Sequence, residues 1–134
     1  MNSVYGEKVG RLSKKSTSKF KVSEMLMDVA RDYIALGEDI EDKQQLLNGA
    51  ASAWNIACLG KEKRVQAIKK YMRGYRKMNP HQTKQDYRDS EEDLKLLIKE
   101  KDRLYPGVKV QVAHVEVKEI GEKLHVTVMS MDER

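Results

Sequence analysis

The chain has 134 residues, of which 35% are charged and 40% apolar, with a single cysteine, a single tryptophan and a single phenylalanine. That length suffices for one domain with a hydrophobic core. No apolar run approaches a membrane span, the N-terminal residues lack the apolar stretch of a secretory signal, and a lone cysteine forms no internal disulfide. The formal charge of +5 permits a nucleic-acid partner without demanding one. One free thiol and seven methionines suit a reducing cytoplasm.

Residues 1–21 are rich in Gly, Ser and Lys and hold six Lys or Arg, among them Lys14 and Lys15, against Glu7 alone. They read as a flexible basic arm, with room for a short strand over 3–9. Residues 22–134 read as a single α+β domain. Its first helix is predicted over about 22–36, with Ser23 as N-cap and Val22, Met25, Leu26, Val29, Tyr33 and Leu36 on one face. Gly37 is expected to end it in the left-handed conformation. This segment is acidic, with seven Asp or Glu against Arg31 between Val22 and Asp42.

The second helix is predicted over about 39–59, with Asp39, Glu41 and Asp42 suiting the positive end of its dipole. From Gln44 to Gly60 it carries no charge at all. Leu47, Ala50, Ala51, Trp54 and Cys58 fall at helical spacing, and Leu46, Ala53 and Ala57 widen the stripe. A helix apolar over most of its circumference is surrounded by others, so this one is read as the centre of the fold. Cys58 is read as a reduced, buried small hydrophobe. Gln44, Asn48 and Asn55 are the polar exceptions, and burial would oblige their amides to find partners such as loop ends.

The third helix is predicted over about 61–78, bounded by Gly60 and by Asn79-Pro80. Val65, Ile68, Tyr71, Met72, Tyr75 and Met78 form one arc, and Lys63, Lys69, Lys70, Arg73, Arg76 and Lys77 form the opposite one. Lys61 and Arg64 break the division. Gly74 weakens the helix by about 1 kcal/mol relative to Ala. Residues 81–88 read as a polar connection. The fourth helix is predicted over about 90–104, capped by Ser90 and its following acids, with Leu94, Leu97, Ile98 and Leu104 inward. Pro106-Gly107 then turns the chain.

Beyond it the period becomes two, and a hairpin is predicted over about 108–131. The alternation of valines slips phase near Val112 to His114, as a β-bulge would require. Gly121-Glu122 reads as a type II′ turn. That turn sets Val117 opposite Val126 and Val115 opposite Val128 on one face, with Lys118 opposite His125 on the other. The fold class is therefore α+β, with four helices packed around an apolar second helix and followed by a C-terminal β-hairpin.

The chemical motifs are sparse. HExxH, Cys/His zinc spacing, an EF-hand loop, GxGxxG, the phosphate-binding P-loop and GxSxG are all missing from the sequence. No catalytic set, metal-ligand set or cofactor motif stands out, so a non-enzymatic binding module is the leading reading. Nucleic acid, DNA or RNA, is the first candidate partner. Lys69, Lys70, Arg73, Arg76 and Lys77, with Lys14 and Lys15 of the arm, are the residues to contact phosphates. The plain reading of the same arc is a solvated face complementing the acidic first helix. A second function class is a protein-interaction or regulatory subunit, binding a partner or a second copy through its hairpin edge or its acidic first helix. A third is an enzyme with a pocket near Trp54, Asn55 and Tyr33. No membrane partner is expected.

Overall fold

The computed structural model describes residues 21–131, so the basic arm, including Lys14 and Lys15, lies outside the described residues. Four helices come first: α1 (Val22–Ile34), α2 (Ile40–Ala57), α3 (Lys61–Met78) and α4 (Lys84–Leu104). An antiparallel hairpin follows, β1 (Val112–Ile120) and β2 (Lys123–Ser130). The α+β class, with helices preceding a C-terminal hairpin, is thus what the chain forms. None of its helices among the described residues is long and apolar enough to cross a membrane.

The apolar α2 lies at the centre, packed against α1, α3, α4 and β1. Its Leu47, Ala50, Ala53, Trp54 and Ala57 are buried, together with Leu26 and Ile34 of α1, Leu94 and Ile98 of α4, and Val112, Val115 and Val117 of β1. Small residues on α2 let the neighbouring backbones approach, and Trp54 fills the space left near the start of the hairpin. Its indole nitrogen donates to Val110 O at 2.7 Å, and its ring lies against Tyr105 at a centroid distance of 6.3 Å.

The polar residues of α2 have a specific task. Asn55 donates to Val112 O at 2.8 Å and accepts from Val112 N at 2.7 Å. Gln44 donates to Val115 O at 3.1 Å and to Asn48 Oδ1 at 2.8 Å, and accepts from Val117 N at 2.9 Å. Two side-chain amides thus occupy the outer edge of β1 as a third strand would. Their partners are a strand edge, where loop ends were expected. Asn48 stays exposed and serves only Gln44.

Helix ends depart from the expected places for identifiable reasons. α1 starts from Lys21 with no side-chain cap, so Ser23 is inside the helix. It ends at Ile34, and Leu36 is left 73% exposed. Gly37 does not adopt a left-handed conformation; among the described glycines only Gly121 has positive φ. Gly37 is needed for closeness instead, because a Cβ there would sit 2.8 Å from Lys43 N. Asp39 caps α2 by accepting from Asp42 N at 2.8 Å, which gives that acidic cluster its structural role.

The largest difference is α4, which begins six residues before the expected Ser90. Thr83 accepts from Asp86 N, and the Asp86 carboxylate accepts from Thr83 N, a reciprocal capping box. Residues 84–89 contain no helix breaker, so the cap decides. Ser90 lies inside the helix and donates to Tyr75 OH at 2.9 Å, and Glu91, Glu92 and Asp93 are therefore not first-turn acids.

The hairpin has the expected register. Val117 faces Val126, Val115 faces Val128, and the irregularity lies between Val112 and His114. Gly121 has φ +66°, the left-handed value that the first position of a primed turn demands. Residues 108–111 precede the strand; Val108 O accepts from Lys101 and Val110 O from Trp54, while Gln111 O accepts from the backbone N–H of Met131 at 2.8 Å.

Removing the edge amides should be felt directly. Asn55→Ala strips both backbone groups of Val112 of their partner and is expected to lower the unfolding free energy in urea by about 1–3 kcal/mol. A loss below about 0.5 kcal/mol would mean that water replaces the amide there without cost. In the opposite direction, a methyl built on Gly74 of α3 meets nothing within 4 Å. Gly74→Ala should therefore stabilise the protein by about 0.5–1 kcal/mol, read as a higher urea midpoint.

Candidate nucleic-acid interface

α3 is the most exposed of the four helices, and Met72 is its only fully buried residue. Ile68, Tyr71 and Tyr75 are half-buried against the core, while Val65 and Met78, expected inward, are 57% and 79% exposed. The contact with α2 and α4 is narrower than the apolar arc, so the flank and the end of that arc stay in solvent. The opposite face is open along its length. Lys69, Lys70, Arg73, Arg76 and Lys77 are all exposed on it. None of these five takes part in an ion pair among the described residues.

The basic residues near the start of α3 divide by position. Arg64, which interrupts the arc, is absorbed into structure. Its guanidinium donates to Asp102 Oδ2 at 2.6 Å and Oδ1 at 2.9 Å, to Ala57 O at 2.6 Å and to Leu59 O at 3.2 Å. One side chain thereby closes the C-terminal end of α2 and ties α3 to α4. A flat fork of donors is needed for such a task, and lysine does not supply it. The hydrogen bond from Arg64 is the chief reason that the Asp102 carboxyl is held below its ordinary pKa.

The C-terminal half of α3 is braced by tyrosines. Tyr71 and Tyr75 stack at 6.2 Å, and Tyr87 of α4 meets Tyr75 edge-on at 6.2 Å. Tyr75 OH donates to Gln82 Oε1 at 3.1 Å, and Tyr87 OH donates to Asn79 O at 2.6 Å. Tyr75 faces α4 and the turn before it, and the Tyr71 hydroxyl lies over Gly49 of α2, so neither is an open platform for bases. The Arg76 guanidinium lies 5.6 Å from the Tyr87 ring centroid. Tyr87 was not singled out from sequence because residues 81–88 read as a loop.

Other candidate chemistry is scattered. His81 is exposed; His114 and His125 face Met129 and Lys118 across the hairpin. Among the described residues no group of three or more His, Cys, Asp or Glu is placed to hold a metal ion. Cys58 is half-buried, and burial pushes its thiol up, which disfavours the nucleophilic thiolate. A groove of about 460 Å³ runs beside α4 at Arg64, Lys95, Leu96 and Lys99. A smaller cleft of about 200 Å³ lies by Asn48, Ser52, Asn55 and His114. Trp54 lines neither, because it is buried beneath Tyr105 and Lys101.

Lys101 is the residue that the sequence concealed. It is 1% exposed, donates to the carbonyl oxygens of Tyr105 and Val108, and places its ammonium 5.0 Å from the Trp54 ring centroid. Burial lowers its pKa from the ordinary 10.5. Its three donors meet two carbonyls and a π-face, so it holds the loop before β1 and has no free valence for chemistry.

No protein-family model matches this chain, and neither a curated protein nor a solved structure matches it.

The buried phenols give a pH signature. Burial raises Tyr33, Tyr71 and Tyr105 above the ordinary 10.0, with Asp93 adding to the rise at Tyr33 and Asp28 at Tyr105. Above pH 10 these groups ionise in the unfolded chain before they ionise in the folded one, so the folded state binds more protons and stability falls as pH rises. Lys101 opposes this below 10.5 because its folded pKa is lowered. Urea unfolding at stepped pH on either side of 10.0 should show a decline that steepens above 10.5, and Tyr33→Phe should flatten it.

Proposed function

We propose that this protein is a non-enzymatic nucleic-acid-binding module of the cytoplasm, acting through the outer face of α3. The observation that carries the reading is the joint exposure of Lys69, Lys70, Arg73, Arg76 and Lys77 with no ion-pair partner among the described residues. A basic face that merely solvated the fold would be expected to lean on the neighbouring acids, as Arg64 does on Asp102. Side chains on one rigid helix are set at fixed spacing without further ordering, which favours contact with a regular array of phosphates. No described aromatic on this face is free to stack, so recognition rests on the backbone and tolerates many sequences. Lys14 and Lys15 would add to the attraction from the N-terminal arm. The single half-buried thiol suits a reducing compartment.

The test is a titration of the full chain against labelled single- and double-stranded DNA and RNA over a range of salt. With five phosphates neutralised on a duplex, the logarithm of affinity should fall with the logarithm of salt at a slope of about −4.5. Changing Lys69, Lys70, Arg73, Arg76 and Lys77 to Glu should abolish binding while leaving the urea midpoint close to that of the wild type, because none of them is buried. No binding at low salt by folded wild type would return the face to solvated surface.

A further inference from the structure

We propose that the outer edge of β2 is a self-association surface, pairing antiparallel with the same strand of a second copy of this chain about a twofold axis at Val126. The two edges of the hairpin are not equivalent. Gln44 and Asn55 fill the edge of β1, taking the backbone groups of Val112, Val115 and Val117. Since Val115 and Val117 turn their backbone away from β2, the alternation of an antiparallel ladder fixes the rest. The cross-strand bonds run through the pairs Glu116 with Thr127 and Lys118 with His125. On β2 it is then Leu124, Val126 and Val128 whose N–H and C=O groups point outward. No described element pairs with them.

The edge lacks the usual guards. β2 contains no proline, its register irregularity lies on the β1 side, and its only Lys, Arg, Asp or Glu is Lys123 at the start. Of the eight large apolar residues exposed among the described residues, Ile120, Leu124, Met129 and Met131 lie on or beside the hairpin. Half of the exposed apolar side chains thus gather at an element that is only marginally stable as two strands.

Charge and shape select the occupant and its register. Centred on Val126, the pairing sets Leu124 opposite Val128 of the partner subunit, Val126 opposite itself, His125 opposite Thr127 of the partner subunit, and Lys123 opposite Met129 of the partner subunit. No charge meets its like. Moving the centre to His125 would set that ring against its own copy. Leu124, 40% exposed in the single chain, gains a valine to pack on. The contact is isologous and closes at two copies, giving a four-stranded sheet.

The experiment is sedimentation velocity of the full chain over a range of concentrations, beside Leu124→Lys. The introduced ammonium would face Glu119 across the hairpin, which suits the single chain, but would meet Val128 of the partner subunit twice in the dimer. A dimer population that grows with concentration is expected, weakened at least about tenfold by Leu124→Lys, or about 1.4 kcal/mol, with an unchanged circular dichroism spectrum. The register is tested in a Cys58→Ser background. His125 and Thr127 of the partner subunit form a pair without ladder bonds, with Cα atoms about 4.5 Å apart, within disulfide range. An equal mixture of His125→Cys and Thr127→Cys chains should therefore oxidise to a cross-linked species that neither variant forms alone. A monomer at every concentration, a dimer indifferent to Leu124→Lys, or cross-linking no better in the mixture than in the single variants would each overturn the proposal. None of these readouts depends on nucleic acid.

Discussion

Four hydrogen bonds from two side chains decide where the hairpin lies. Asn55 takes both backbone groups of Val112, and Gln44 bridges Val115 O and Val117 N. A buried strand edge without partners would cost about 1–3 kcal/mol for each orphaned group, so a two-stranded sheet laid on an apolar helix needs such a device. Hydrophobic contact alone would press β1 against α2 without fixing its register, since valines slide past alanines with little penalty. The amides supply the register. They also require that α2 be the helix beside β1, and that the hairpin follow the loop held by Trp54 and Lys101. α2 thus positions the core and the sheet, and with Lys101 of α4 it holds the loop between them.

That dependence explains what could be read from the residues and what could not. The boundaries of α3 were legible because a continuous 3.6-residue period is cut by Gly60 on one side and Asn79-Pro80 on the other. The hairpin register was legible because turn chemistry and valine alternation agree independently. The start of α4 was not, because residues 81–88 carry no apolar period and the deciding signal was a four-residue cap, Thr83 to Asp86. Lys101 escaped because a lysine reads as polar wherever it stands. Its place on the stripe of Leu94, Leu97 and Ile98 was nonetheless visible, and a cation on an apolar stripe must find carbonyls or a π-face if it is buried. Gln44 and Asn55 were recognisable as amides in need of partners, but a helix face alone cannot say that those partners form a strand.

The same reasoning separates the basic residues of α3. Arg64 stands on the inward side of the helix, where desolvation makes every unpaired donor costly, and it engages four acceptor atoms. Lys69, Lys70, Arg73 and Lys77 stand where water satisfies them, so nothing in the fold determines their charge. A helix that contributes little buried surface, carries a glycine in its exposed face and retains five cations there is not shaped by core packing. Surface charge that stability does not require is the kind of feature on which selection for a partner can act.

The basic face and the open strand edge lie on different elements around α2. α3 packs on α2 and α4, while the hairpin packs on α2 through β1 and on α1 through β2. Pairing of two β2 edges would leave both α3 helices uncovered. A twofold dimer would then carry two exposed basic strips. For a weak, sequence-tolerant binder that geometry matters more than any single contact, because the second strip acts at an effective concentration set by the dimer itself and multiplies affinity without a new interaction. The edge that α2 leaves open would, on this view, complement the modest charge of a single helix.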